Sequence, residues 1–146
     1  MIKDNLIMLR KLNEYSQEDI AEKIGISRQA YGKWEKGETI PDIEKCALLA
    51  SVYGITIDSL VHAARIDDDT MIPPPPKGKH IFGTVTISER GQIVIPKQAR
   101  SLFELNGGDR LIVLGDEGEG IALVKEKTFM DRMNMMMKSA SKHNKK

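Results

Sequence analysis

Cationic and amide side chains that can hydrogen-bond to the edges of nucleobases are concentrated in the stretch GISRQAYGKWEKGETIP, residues 25–41. At helical spacing its apolar residues occupy one narrow face, and the opposite face carries Arg28, Gln29 and Lys33. Arginine and lysine suit O6 and N7 of guanine, and glutamine suits adenine, with about 1–3 kcal/mol of base discrimination for each good bidentate pair. Exposed polar residues on a helix are more often merely solvated, so this face alone does not distinguish base reading from solvation.

Three neighbouring polar side chains suit phosphate oxygens, which position a protein on DNA without reporting the base sequence. They are Gln17, Ser27 and Lys36. The amide groups at helix N-termini would add donors of the same kind. The whole region therefore predicts a surface that combines base contacts with phosphate contacts.

Capping residues and glycines divide this region into two short helices joined by a turn. Ser16 suits the cap of the first helix, with Asp19 at its third position as in a capping box, and Gly25 ends it. Ser27 caps the next helix and Gly37 ends it. Two helices joined in this way have the layout of a helix-turn-helix, whose second helix lies in the major groove of DNA.

Three more helices are predicted around this pair, which gives five helices before residue 66. Leu6, Leu9 and Leu12 line one face of the first helix. Pro41 opens the fourth helix, and Asp58 caps a short fifth one. The predicted core face of the fourth helix comprises Ile43, Cys46, Leu49, Ala50 and Tyr53.

The run IDDDTMIPPPPKGKH, residues 66–80, interrupts the helical pattern and divides the chain. Four consecutive prolines favour an extended polyproline helix, which is a semi-rigid spacer. Beyond it, GTVTIS and QIVIP predict two strands, KQARSLF a short helix, and RLIVLG with GIALVKE a hairpin closed by DEGE. The predicted organisation is a helical domain over residues 1–65, the linker, a β-rich domain over 81–127 and a tail over 128–146.

The composition excludes several classes of protein. The formal net charge is +1, so any binding of a polyanion depends on local charge rather than on a global field. The single cysteine, Cys46, fits a buried core position, and neither a signal sequence nor an apolar run of about 20 residues is present, which indicates a soluble, cytoplasmic protein outside the membrane. Scattered histidines, and the lack of a catalytic triad, paired carboxylates or a nucleotide fingerprint, predict a protein that is not an enzyme and binds no metal or cofactor.

The segment SQEDIAEKIGISRQAYGKWEKGETIPDIEKCALLASVYGITIDSL resembles the Xre/Cro family of helix-turn-helix repressors, and the similarity extends over nearly all of residues 5–62. The resemblance implies a compact, five-helix, lambda-repressor-like DNA-binding domain whose third helix reads bases. Tyr31 stands where the family more often has an aliphatic residue, and Gly32 follows it. A glycine inside a helix costs roughly 0.5–1 kcal/mol relative to alanine, so Gly32 indicates a close approach of the backbone to DNA or to another helix.

The string GTVTISERGQIVIPKQARSLFELNGGDRLIVLGDEGEGIALVKE resembles the SpoVT/AbrB family, which includes MazE-type antitoxins, most specifically in ERGQIVIPKQAR and GGDRL. The resemblance implies an AbrB-like, swapped-hairpin β-barrel dimer with phosphate contacts from Arg90, Lys97 and Arg100. Gln92 and Ser101 stand where members of the family often have arginine, so DNA contact by this domain stays open. A small sheet with many open edges independently favours pairing with a second copy.

The tail TFMDRMNMMMKSASKHNKK is rich in methionine, and residues 128–146 carry five basic and one acidic side chain. Methionine-rich helices adapt to partners, so a helix that docks on a partner protein is one interpretation. Packing on its own dimer and simple fraying are the others, and the terminal lysines would attract phosphate non-specifically. The apolar residues at helical spacing are Phe129, Met130, Met133, Met136 and Met137.

The sequence as a whole predicts an α+β, multidomain, homodimeric regulator of transcription that represses by occupying an inverted repeat in double-stranded DNA. Assembly beyond the dimer stays open. The alternative function is that of an antitoxin-like protein, which binds a partner protein through its C-terminal region and autoregulates its operon.

Overall fold

The computed structural model describes residues 1–144, so Lys145 and Lys146 of the basic tail lie outside the described residues. The chain has an α+β architecture and divides into two compact units, Met1–Ile93 and a second that begins at Val94.

The first unit is built from five helices, as the capping and apolar pattern predicts. Each helix contributes one side chain with no exposed surface to a single core, which is why helices as short as these hold together. Those five side chains are Leu6, Ile20, Tyr31, Leu49 and Leu60. The helices are α1 (Ile2–Leu12), α2 (Gln17–Ile24), α3 (Arg28–Lys36), α4 (Ile43–Tyr53) and α5 (Ile57–Val61).

The ends of α2 and α3 confirm the predicted caps. The Ser16 hydroxyl accepts a hydrogen bond from the Asp19 backbone N–H at 3.0 Å, and the Asp19 carboxylate accepts one from the Ser16 backbone N–H at 2.7 Å. The Ser27 hydroxyl accepts from the Ala30 N–H at 3.1 Å. Gly25 and Gly37 end the two helices with φ values of +71° and +76°, a conformation that favours glycine because it has no Cβ.

Two of the predicted helix starts are wrong by two residues each. Helix α4 is capped by Asp42 rather than opened by Pro41, because the Asp42 carboxylate accepts the Lys45 N–H at 2.8 Å. Helix α5 is capped by Thr56 rather than Asp58, since the Thr56 hydroxyl accepts the Ser59 N–H at 3.0 Å. Asp58 therefore lies inside the first turn of α5, where its negative charge is favourable.

Two of the residues predicted for the core are exposed. Leu12 ends α1 with 66% of its surface exposed, and Ile43 begins α4 with 69% exposed. Both are terminal residues of their helices. Cys46 is buried as predicted, and burial raises the pKa of its thiol.

The segment predicted as a spacer begins with a small hairpin. Strand β1 (Ala64–Arg65) pairs antiparallel with β2 (Met71–Ile72), and the turn between them is held by the Asp67 carboxylate. After the prolines, the Lys77 N–H donates to the Gly54 carbonyl at 2.9 Å, so this part of the segment lies against the end of α4. The role of residues 66–80 as a spacer stays a prediction.

The two strands predicted at GTVTIS and QIVIP are wrong for the single chain. The turn between them forms, with the Ser88 N–H donating to the Gln92 carbonyl at 2.8 Å, but residues 81–96 contain no regular strand. A regular strand requires a ladder of backbone hydrogen bonds to a neighbouring strand, and residues 81–96 form no such ladder within the described residues 1–144. Several of their apolar side chains are exposed, including Ile87 at 69% and Val94 at 77%.

The second unit confirms the predicted short helix and hairpin. It contains α6 (Lys97–Leu102), β3 (Leu111–Asp116), β4 (Gly120–Lys125) and α7 (Glu126–His143). Strands β3 and β4 pair antiparallel, from Leu111 opposite Lys125 to Asp116 opposite Gly120. Both faces of this hairpin are apolar. None of the helices within residues 1–144 is both long enough and apolar enough to cross a membrane.

Candidate nucleic-acid interface

The predicted DNA-binding residues of the first unit meet on one surface. We call this surface the α2–α3 depression, and it is lined by Gln17, Arg28, Gln29, Gly32, Lys33, Lys36 and Glu38. The four side chains predicted to come from α3 itself, Arg28, Gln29, Lys33 and Lys36, are exposed. This concave surface carries three cations, two amides and one carboxylate, that of Glu38, which lies 3.9 Å from the Lys36 ammonium group. Its net positive charge and its amides match the donors and acceptors of a DNA groove with its flanking phosphates.

Ser27 has a different position from the other predicted residues. It precedes α3, and its hydroxyl oxygen accepts the Ala30 N–H as the helix cap. A capping hydroxyl keeps its own hydrogen, so only the O–H donor of Ser27 is left for a phosphate oxygen.

The opposite face of α3 is fixed in the core by two aromatic side chains. Tyr31 has no exposed surface and Trp34 is 8% exposed, and their rings meet edge to face with centroids 5.9 Å apart. The Tyr31 hydroxyl lies 3.5 Å from the Leu6 carbonyl and 3.5 Å from the Tyr53 hydroxyl. Burial, followed by the bond to Tyr53, raises the pKa of Tyr31 far above its ordinary value, so the phenol stays neutral. These contacts fix the rotation of α3 about its axis and hence the direction of its polar face.

A buried charge network lies directly behind the α2–α3 depression. The Glu35 side chain is 7% exposed and that of Arg10 is 17% exposed. Arg10 donates to Glu35 through Nε at 2.6 Å and Nη2 at 3.1 Å, and Gln17 Nε2 donates to Glu35 Oε2 at 2.8 Å. Burial raises the pKa of the Glu35 carboxyl, but the hydrogen bonds from Arg10 and Gln17 outweigh burial and hold that pKa below its ordinary value.

The sequence pattern did not identify Glu35 as a site residue. Its signal is its position four residues after Tyr31, which places a carboxylate on the buried face of α3. A buried carboxylate requires a partner, and two are present here, Arg10 from α1 and Gln17 from α2.

Gly32 faces Gln17 across the α2–α3 depression. A Cβ atom at Gly32 would lie 3.6 Å from Gln17 Oε1, an ordinary van der Waals distance, so the glycine leaves the depression open without being required by a clash. The close approach of the backbone to DNA or to another helix that was expected at Gly32 stays a prediction, because the atom found here is a side-chain oxygen at an ordinary contact distance.

The three basic residues for which the SpoVT/AbrB resemblance implies phosphate contacts are divided between the two units. Arg90 is exposed in the turn of residues 88–92, which belongs to the first unit. Lys97 and Arg100 are exposed on α6 of the second unit, three residues apart and hence on one face of that helix. Arg100 Nε donates to the Ile95 carbonyl at 3.1 Å, which orients its guanidinium group.

Two families match separate parts of the chain. Residues 6–60 match a family described as "Helix-turn-helix", and residues 84–131 match one described as "Antidote-toxin recognition MazE, bacterial antitoxin". Within residues 1–144 no group of three or more histidine, cysteine, aspartate or glutamate side chains is arranged to hold a metal ion.

The curated relatives are regulators of transcription. Over 77 residues the chain is 34% identical to the SPbeta prophage-derived uncharacterized HTH-type transcriptional regulator YonR of Bacillus subtilis (strain 168), a match that covers 51% of this chain and 71% of that protein. Over 68 residues it is 39% identical to the cryptic phage CTXphi transcriptional repressor RstR of Vibrio cholerae, which covers 47% of this chain and 61% of that protein.

Among solved structures, a transcriptional regulator from Listeria innocua is 31% identical with a TM-score of 0.42, covering 47% of this chain and 65% of that chain. The match to YonR spans more than two thirds of that protein and agrees with the match of residues 6–60. This chain therefore belongs to the family of HTH-type transcriptional regulators and carries a MazE/AbrB-like region after its helix-turn-helix domain.

Proposed function

We propose that this regulator is a homodimeric repressor that reads an inverted repeat in double-stranded DNA through Arg28, Gln29 and Lys33 of α3. The observation that carries the proposal is the α2–α3 depression, where these side chains lie beside further donors on an exposed, cationic surface. The opposite face of the same helix is packed in the core, so the polar face is held rigidly in one direction. Rigid presentation favours specific binding because little ordering remains to be done on contact.

Each residue has a role that follows from its chemistry. Arg28 and Lys33 donate to O6 and N7 of guanine, and Gln29 makes the bidentate contact that suits adenine. Arg28 and Gln29 lie at the N-terminal end of α3. In a recognition helix, the N-terminal residues are the ones that contact base edges. Phosphate contacts come from Gln17, Ser27 and Lys36.

The proposed dimer is supported by apolar surface in the AbrB-like region. On one face of the β3–β4 hairpin Val113 is 66% exposed and Ile121 is 78% exposed, although both have the residue types of a core. The segments before α6, which contain no regular strand, add further exposed apolar side chains. A second copy would cover both, as the swapped-hairpin dimer of the SpoVT/AbrB family does.

A two-fold dimer fixes the form of the operator. Two copies of α3 related by a two-fold axis would read an inverted repeat, with half-sites one helical turn of roughly 34 Å, or a multiple of it, apart. Arg90, Lys97 and Arg100 would then contact phosphates and add affinity without base preference.

The experiment that tests base reading uses the duplex that the full-length protein selects from a random pool. Arg28→Ala, Gln29→Ala and Lys33→Ala should each weaken binding to that duplex by about 1–3 kcal/mol, and binding to a scrambled duplex much less. Lys11→Ala, which removes an exposed charge from α1 outside the depression, is the matched control. Equal losses on the selected and scrambled duplexes would refute base reading by α3.

An antitoxin-like protein is the second candidate function. It is favoured by the match of residues 84–131 to the MazE antitoxin family and by the exposed methionines of α7. In that function α7 binds a partner protein, and DNA binding autoregulates the operon. A protein that co-purifies with the full chain, but not with a chain ending at Thr128, would favour this function over simple repression.

A further inference from the structure

We infer that Glu35 is a positioning residue for DNA binding, because its carboxylate holds the side chain of Gln17 in place within the α2–α3 depression. The inference rests on the proposed function and assigns a role to a buried residue that does not line the α2–α3 depression. It begins from a hydrogen bond that connects the ion pair to a residue lining the depression, from Gln17 Nε2 to Glu35 Oε2 at 2.8 Å.

The carboxylate of Glu35 is itself held firmly. Arg10 approaches it with two nitrogens, and a third nitrogen, Nη1, donates to the Tyr15 carbonyl at 3.0 Å. A bidentate arginine–carboxylate pair of this kind adds geometric definition as well as energy. Because Arg10 lies on α1, Gln17 on α2 and Glu35 on α3, the hydrogen bonds that the Glu35 carboxylate accepts connect three helices at one point.

The bond to Glu35 leaves most of the Gln17 amide available. A carboxamide has two N–H donors and one carbonyl acceptor, so one donor directed inward leaves one donor and the acceptor for a ligand. The Gln17 carbonyl oxygen lies 3.6 Å from the position that a Cβ of Gly32 would occupy, which places this end of the amide beside α3. An amide fixed in this way meets a phosphate oxygen without first losing rotamer freedom.

If the Arg10–Glu35 ion pair had only a structural role, the effects of substituting Glu35 and Gln17 would be independent. In that case the loss of Glu35 would lower stability, and DNA affinity would change independently of Gln17. If Glu35 acts through Gln17, removing either residue should cost the same contact, and removing both should cost no more than removing one.

The test measures binding of full-length variants to the duplex selected from a random pool by the unaltered protein. Gln17→Ala should lower affinity by roughly ten- to a hundredfold, the range expected for one hydrogen bond to a charged group such as a phosphate. Glu35→Asp keeps the charge but withdraws the carboxylate from Gln17, and it should lower affinity by a similar factor. The combined variant Gln17→Ala/Glu35→Asp should bind no more weakly than Gln17→Ala alone.

Two further measurements separate positioning from damage to the fold. Arg10→Met/Glu35→Met removes the pair without leaving a buried charge unpaired, and such replacements are often tolerated. Arg10→Met/Glu35→Met should lower duplex affinity by the same factor as Glu35→Asp. When it is combined with Gln17→Ala, the loss of affinity should be no larger than that of Gln17→Ala alone. Because Gln17 is neutral, neither Glu35→Asp nor the Met pair should change the dependence of affinity on salt, whereas Lys36→Ala should reduce it.

The outcomes are distinct. Losses that multiply when Gln17→Ala and Glu35→Asp are combined, or a Glu35→Asp variant with full affinity, would overturn the positioning role while leaving base reading by Arg28, Gln29 and Lys33 intact. If the unaltered protein selects no duplex from the pool, the proposed function and this inference both fail.

Discussion

The ion pair between Arg10 and Glu35 should make the stability of the helical unit sensitive to acid. Glu35 has an ordinary pKa of 4.5, and in the folded protein the bonds from Arg10 and Gln17, which outweigh the opposing effect of burial, lower it. A group with a depressed folded pKa contributes stability that is fully present above its ordinary pKa and is lost as the pH falls through the folded pKa. The contribution of the pair should therefore begin to decline once the pH falls below about 4.5.

Arg10→Met/Glu35→Met provides the matched comparison, because both proteins keep every other carboxylate. The free energy of unfolding, measured by urea titration at a series of pH values, should fall more steeply below pH 4.5 for the unaltered protein than for the variant. Parallel pH profiles would contradict a role for this pair in acid stability.

The surface residues of the site were easier to predict than the buried one. Arg28, Gln29 and Lys33 are placed on one face by helical spacing alone, once Tyr31 is assigned to the core. Glu35 is harder, because a glutamate is nearly always exposed and only its spacing from Tyr31 contradicts that expectation. The bond from Gln17 depends on how three helices pack, which local periodicity does not determine.

At the scale of one helix, the glycine at position 32 lowers the stability of α3 but leaves the α2–α3 depression open to a ligand. It lies in the interior of α3 in an ordinary helical conformation, and a Cβ there would make only an ordinary contact with Gln17. Gly32→Ala should therefore raise the free energy of unfolding by roughly 0.5–1 kcal/mol. The added methyl group also lies in the depression, so we expect severalfold weaker binding to the selected duplex.

Thermal unfolding and duplex binding measure the two effects separately. Ser51→Ala is the control, because Ser51 is exposed within α4 and outside the α2–α3 depression, so it should leave duplex affinity unchanged. Full duplex affinity in Gly32→Ala would show that the DNA does not approach this part of α3.

Elements with local determinants were predicted well, and those that need distant partners were not. The caps at Ser16 and Ser27 and the ends at Gly25 and Gly37 are all correct, because each is decided by contacts within a few residues. The strands expected within residues 81–96 require backbone partners, which sequence periodicity cannot supply. The β3–β4 hairpin carries its partner with it and forms as predicted.

On the scale of the whole molecule, the exposed apolar surface of the second unit is the strongest argument for a partner chain. Opposite residues of the hairpin share a face, and Val113 pairs with Leu123, which are 66% and 43% exposed. The other face carries the half-buried pair Ile112 and Val124. A two-stranded hairpin with two apolar faces is marginally stable alone, so covering the exposed face by a second copy would stabilise both chains.

Light scattering should therefore give twice the mass of the 16.3 kDa chain, and the thermal midpoint should rise with protein concentration, since a dimer is favoured by mass action. Val113→Lys places a charge on the face that we expect to be covered, so it should shift the mass toward that of one chain and weaken binding to an inverted repeat more than binding to a single half-site. Glu117→Lys makes a change of charge in the exposed β3–β4 loop and should leave the mass unchanged. A single-chain mass for the unaltered protein at every concentration would exclude the dimer, and with it the requirement for an inverted repeat. Base reading by one α3 helix would then still be tested by the duplex experiment.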